Sequence, residues 1–464
     1  MNRQNVSRES FETYVWFRQA AERGDAYAQF NLGLMYKKGD CIERDYARAF
    51  TWLRRAALQG LAFAQNHLGA LYYNGRGVAR NDREAAYWFG QAAEQGDPSA
   101  QQNLGQMYRK GRGVAQNHEL ALAWFYRAAE QGAASAQSLL AECYLTGQGA
   151  PLNYALAMAW FRKAAIGGEA HAQLNLGLMY KRGQGVDASD EQAVSWFRQA
   201  AAQGSAVAQR YLGVCYAEGL GVRTDPLRAL AWLERAADKG DQDAQFNLGV
   251  MLANGQGVER DEARALAWYQ RAAEQGHMLA QYNLGSMYAN GRGTARDELR
   301  ALEWTTRAAE QGVASAQFNL GVIYAAGQGV LKDEAHAAHW YRVAAEQGDA
   351  SAQNNLGVMY ANGQGVPRDD AMAVFWYEQA AEQGHPLAQY NLGGMYNAGR
   401  GVARDSVRSY MWMLLAAEAG DEAASASKSI VARSLSPTEI GCALDLTRQW
   451  QMSRNSAGTL RTAE

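Results

Sequence analysis

Apolar residues in this chain fall into two alternating stripes, each with helical spacing. From Asp25 the pattern A-Q-x-x-L-G-x-M-Y places Ala28, Leu32, Met35 and Tyr36 within about 100° of one another on a helical wheel. A second stripe, Ala49, Trp52, Leu53 and Ala56, follows the i, i+3, i+4, i+7 rule. The pair of stripes then recurs. Trp16, Trp52, Trp88, Trp124, Trp160, Trp196, Trp232, Trp268, Trp304, Trp340, Trp376 and Trp412 are each 36 residues apart, and no insertion or deletion interrupts the register between the first and the last. A length of 464 residues would suggest about three domains. The period predicts one array of eleven helix pairs instead.

The polar positions delimit the helices. Eleven residues 36 apart, from Asp45 and Asn81 through Ser189 to Asp369 and Asp405, are N-cap types, and each opens a second helix. Gly24, Gly60 and their equivalents to Gly420 follow the second helices, and Gly39, Gly75 and Gly111 end first helices in a G-x-G-V turn. Gly33, Gly69 and Gly105 lie inside first helices, where glycine costs about 1 kcal/mol relative to alanine. Recurrence at that cost predicts close contact with the tryptophan-bearing helix.

The ends read as caps. Residues 8 to 23 resemble a second helix without its first, so residues 1–24 form an N-terminal half-repeat, 25–420 the repeats and 421–464 the C-terminal caps and tail. In 421–434 Ser425, Lys428 and Ser429 replace the usual Gln, Leu and Gly, as suits a face that no repeat covers. S-P-T-E at Ser436 to Glu439 is a capping box that opens a final helix to about Met452, and the last dozen residues are expected to be disordered. Between Ala133 and Gly168 four usual residues are replaced, by Leu139, Ala141, Ala150 and Gly167. A local change of curvature and no visible effect are both open there.

The 36-residue unit A-Q-x-N-L-G-x-M-Y…G-x-G-V…D-x-x-x-A…W-x-x-A-A-x-Q-G, matched from residue 8 to 420, resembles the Sel-one-like repeat family, relatives of the tetratricopeptide repeats. The resemblance implies an all-α fold, an α/α superhelical solenoid of eleven helix-turn-helix repeats with terminal capping helices. It also implies a protein-interaction role, frequently as a bacterial adaptor or signalling component, and a fold alone names no partner.

Composition narrows the chemistry. The 45 Lys+Arg against 47 Asp+Glu leave a net charge of −2, so no whole-molecule field draws the chain to nucleic acid or membrane. No apolar run reaches about 18 residues and the first residues lack a signal-peptide core, so we expect no membrane span and a cytoplasmic, monomeric protein. Cys41, Cys143, Cys215 and Cys442 are too few for a disulfide framework, with Cys143 and Cys215 at a buried Met position and Cys41 at a loop Gly position. His277 and His385 open first helices three repeats apart and cannot share a metal. His336 and His339, at i and i+3, are expected to be solvated, and His67, His118 and His171 have no close spacing. S-A-S-K at Ser425 to Lys428 spells S-x-x-K without the companion motifs of acyl-serine enzymes. No cofactor and no catalytic residue is expected. A cell-wall or β-lactam hydrolase, or a polyanion binder, is the alternative.

What varies between repeats is the first-helix face at positions equivalent to 27, 30, 34, 37 and 38, which lines the concave groove in tetratricopeptide-like solenoids. Early repeats place Lys37-Lys38, Arg109-Lys110 and Lys181-Arg182 there. These cations also suit the helix dipole. Later repeats bring Phe246, Tyr282, Phe318 and Tyr390, with Val250, Val322 and Val358 beside them. Aromatics of this kind anchor interfaces, or pack on the adjacent repeat. Asn247, Asn283, Asn319, Asn355 and Asn391 form a ladder that would hold a peptide backbone or bond between repeats. The expected partner is an extended peptide or protein segment in the groove.

Overall fold

The computed structural model describes residues 8–461. Among these residues there are 25 α-helices and no strand. Helix α1 (Arg8–Glu22) precedes eleven pairs, of which the first is α2 (Ala26–Lys38) with α3 (Tyr46–Leu58) and the last α22 (Pro386–Ala398) with α23 (Ser406–Glu418). Every helix of the pairs is 13 residues long, and α24 (Glu422–Ala432) and α25 (Pro437–Arg461) close the chain. The helices form two compact units, residues 1–239 and 240–464. Within each unit a first helix packs on its own second helix, and that second helix packs on the next first helix.

The sequence determines where each helix starts. All eleven predicted caps of second helices accept backbone N–H groups, as when Asp45 Oδ1 takes the amides of Ala47 and Arg48 at 2.9 Å. Among the first helices His277 and His385 cap through Nδ1, which accepts Ala280 N at 3.1 Å and Ala388 N at 3.3 Å. Leu61, Ala133 and Val313 stand at the same position without a side-chain bond.

The interior glycines touch the second helix, as predicted. A Cβ on Gly105 would lie 2.6 Å from the Phe125 ring, the residue after Trp124. At Gly113, in the G-x-G-V turn, φ is +70° and a Cβ would lie 2.0 Å from the Asp82 carbonyl oxygen of the preceding repeat. Only glycine lets the turn sit on that helix start. The left-handed φ of 64° at Cys41 belongs to the same turn in the first repeat.

Buried glutamines join the repeats. Gln281 Nε2 donates to the Ala273 carbonyl at 3.1 Å, while Gln311 Nε2 donates to Gln281 Oε1 at 2.6 Å. The glutamine–glutamine bond recurs at Gln29, Gln65, Gln101, Gln173, Gln245, Gln317 and Gln353. At Gln209 it fails: Lys239 stands where the donor glutamine belongs and bonds only the Gly204 carbonyl at 2.7 Å, leaving buried Gln209 Oε1 without a partner.

The divergent repeat keeps its 13-residue helices, the left-handed Gly147 and the Asn153 cap, with Ala141 and Phe161 both fully buried. At the C-terminus the capping box forms, Ser436 N donating to Glu439 Oε2 at 2.7 Å and Glu439 N to Ser436 Oγ at 3.3 Å. Helix α25 returns onto α23, where Trp450 meets Trp412 edge to face at 6.1 Å. It runs to Arg461, well past the predicted end at Met452, so most of the expected disordered tail is helical; residues 462–464 lie outside the described residues.

Candidate binding face of the first helices

In residues 240–464 the column one place after the tryptophans carries hydroxyls. Tyr269, Tyr341 and Tyr377 replace the phenylalanine or leucine of earlier repeats and are 3–4% exposed. Burial pushes the Tyr269 and Tyr377 hydroxyls up to about 12 and raises Tyr341 as well. They are therefore neutral donors or acceptors at any ordinary pH. Asn283, on the first helix of the next repeat, stands beside Tyr269 and works against that rise, as Asn355 does for Tyr341. Each Tyr–Asn pair lines a surface depression. One, of 240 Å³, is bounded by Val250, Asn254, Ser286 and Arg292; its equivalent two repeats on, of 190 Å³, is bounded by Lys332, Glu334, Val358 and Gln364.

The wheel placed the aromatic column outward, but the structure puts it in the seam between repeats. Phe246 is half-buried, stacked on His277 at 4.5 Å and inclined to Tyr269 at 5.9 Å. Phe318 leans on Tyr341 at 5.8 Å, Tyr282 packs against the cluster of Ala308, Ala309, Ala316 and Leu320, and Tyr390 is likewise half-buried. A helical ring has a side facing the neighbouring repeat that a single wheel does not represent. The Asn ladder is also drawn inward: Asn283 and Asn355 stand beside the two tyrosines, Asn391 Nδ2 donates to Asn354 Oδ1 at 3.0 Å, and Asn247 and Asn319 hold the same half-buried position.

In residues 1–239 the basic pairs divide between seam and solvent. Lys37 is half-buried with Nζ 3.0 Å from His67 Nδ1, and Arg109 pairs with Glu142 at 2.9 Å. Glu142 also meets His171 Nε2 at 2.5 Å. Lys181 is half-buried, whereas Lys38, Lys110 and Arg182 are exposed. Desolvation holds His67 down at about 4, with Lys37 and Lys38 adding to the effect, so its ring is neutral and accepts the lysine proton.

Among the described residues no three of His, Cys, Asp and Glu stand close enough to hold a metal ion. His336 is engaged by Asp333 at 2.7 Å and stacks on Tyr324. Buried Cys143 and Cys215 thiols are pushed up to about 11 by desolvation, which makes them inert. No helix among the described residues is long and apolar enough to cross a membrane. The tyrosine column escaped sequence reasoning because it lies on the core stripe; its one signal was the change from Phe to Tyr at a fixed position.

Tandem helix pairs with this face define an α/α repeat protein of the solenoid class, an architecture typical of protein-interaction scaffolds. The Sel1 repeat model matches residues 6–25 and then successive segments from 26–61 to 386–421, and the chain belongs to the Sel1 repeat family. Among solved structures it is similar to c5321, a protective antigen of uropathogenic Escherichia coli strains with this repeat fold, at 37% identity over 96% of this chain and 94% of that one, with a TM-score of 0.78. A Sel1 repeat protein from Oxalobacter formigenes is 34% identical over 67% of this chain and 90% of that one, with a TM-score of 0.53. No curated protein matches the sequence.

Proposed function

We propose that the chain is a non-catalytic adaptor whose first-helix face in residues 240–464 binds an extended segment of a partner protein. The observation that carries this reading is the repetition of one depression, Tyr269 with Asn283 and then Tyr341 with Asn355. Stacked first helices about 8–10 Å apart would put the two depressions roughly 16–20 Å from each other. An extended peptide covers that span with about five or six residues. Val250 and Val358 supply apolar walls, and the amides and hydroxyls supply polar contacts fixed in place by the seam. Such a pairing of apolar wall and pre-set polar group suits side-chain recognition at two points.

The test selects 12-residue peptides from a displayed random library on the full chain and measures their affinity for Val250→Arg/Val358→Arg. These half-buried valines border the depressions, so the variant should keep its helix content while binding falls by at least about tenfold. Equal affinity in the folded double variant rejects the face, as does failure to select any peptide.

A further inference from the structure

A second feature lies in residues 1–239, away from the variable columns. Tyr216 is 6% exposed and lines a 330 Å³ pocket with Arg198, Val222, Arg223, Thr224, Asp225 and Arg228. Arg198 Nη2 donates to the hydroxyl at 3.1 Å, and the Arg198 and Arg228 guanidinium carbons lie 6.0 and 5.6 Å from the ring centroid. Burial works to raise the Tyr216 pKa, but hydrogen bonds from Arg198 and Arg228 outweigh it and hold the hydroxyl below its ordinary value.

Three of the seven lining residues are arginines, beside the hydroxyl-bearing Tyr216 and Thr224, the apolar Val222 and one carboxylate. Arg198 donates to the tyrosine oxygen, and the Arg228 guanidinium lies over the ring of the same residue. The one carboxylate, Asp225, is already committed: Oδ1 accepts Arg228 N at 3.0 Å and Oδ2 meets Arg228 Nε at 3.1 Å. Arg223 is exposed and pairs with no carboxylate among the described residues. Three guanidinium charges against one carboxylate leave two positive charges uncompensated in the lining.

The array contains its own control. Each repeat offers the same three positions around the same column, yet Tyr180 has Arg162, Asp187 and Gln192, Tyr288 has Gln270, Ala295 and Arg300, and Tyr36 has Arg18, Glu43 and Arg48. Across the column the tyrosines other than Tyr216 have from none, at Tyr108, Tyr144 and Tyr324, to two arginines, at Tyr36, so the three at Tyr216 are surplus to packing. We propose that this pocket binds a dianionic phosphate group. Guanidinium forks match phosphate oxygens, which only accept hydrogen bonds. At about 30 Å³ per water, the volume also admits part of whatever carries the phosphate.

Calorimetric titration of the full chain with phenyl phosphate and with inorganic phosphate, at pH 8 and constant ionic strength, tests this. One saturable site per chain is expected, weakened about tenfold or more in Arg198→Gln and Arg223→Gln and unchanged in Arg300→Gln. Tighter binding of phenyl phosphate assigns the site to a carried monoester, and tighter binding of the inorganic ion assigns it to free phosphate; either sustains the pocket. Absence of saturable binding by both probes overturns the proposal, as does equal weakening in the Arg300 variant.

Discussion

Gly113 and Gly132 share a left-handed backbone but not their surroundings. With φ at +70°, a Cβ on Gly113 would strike the Asp82 carbonyl at 2.0 Å, whereas at Gly132, with φ at +84°, it would meet nothing within 4 Å. Alanine at either position costs about 1–2 kcal/mol through φ alone. At Gly113 the clash adds about 1–3 kcal/mol more. We therefore expect Gly113→Ala to lower the denaturant midpoint, followed by tryptophan fluorescence, clearly more than Gly132→Ala; equal shifts would refute the contact. The sequence shows the turn at Gly113, because G-x-G-V ends a helix wherever it occurs. It does not show the partner, since a carbonyl 31 residues earlier leaves no mark on side-chain type. The same limit hid the meeting of Asn283 with Tyr269, two columns each legible alone.

Between elements, the glutamine ladder links the end of one second helix to the first helix of its own repeat and to the helix before. Lys239 breaks it, keeping the bond to the Gly204 carbonyl and leaving Gln209 Oε1 orphaned. At the intact site Gln59 Nε2 reaches both the Gly24 carbonyl at 3.0 Å and Gln29 Oε1 at 2.9 Å. Lys239→Gln should thus add a bond without losing one, raising stability by about 1 kcal/mol. Urea denaturation measures this, and a variant no more stable than the parent would mean that water already serves Gln209. Helix starts and stops were readable from caps and glycines. The return of α25 onto α23, where Trp450 meets Trp412, was not, because no local pattern announces that contact.

For the molecule as a whole, the histidines set the response to acid. His67 is held at about 4 by burial, and His277 and His385, also lowered by burial, cap helices only while their Nδ1 is unprotonated. An unfolded histidine titrates near 6.5. The unfolded chain therefore binds more protons below that pH, and stability is full above 6.5 and lost as the pH falls toward the folded values. His171, raised by its bond to Glu142, acts in the opposite sense and loses its contribution as the pH rises. His67 alone should cost about 2 kcal/mol between pH 7 and pH 5. Melting temperatures at those two values should differ less in His67→Asn, which installs the residue found at Asn31 and Asn103, than in the parent; an unaltered difference would place the acid sensitivity elsewhere. The unbroken 36-residue register, with every helix of the eleven pairs cut to 13 residues, has a genetic consequence as well. If two copies of the coding sequence exchange strands one period out of step, the product gains or loses a whole repeat, and its new junction is of a kind already present throughout. Array length is the one large dimension of this protein that a single recombination event can change without inventing an interface.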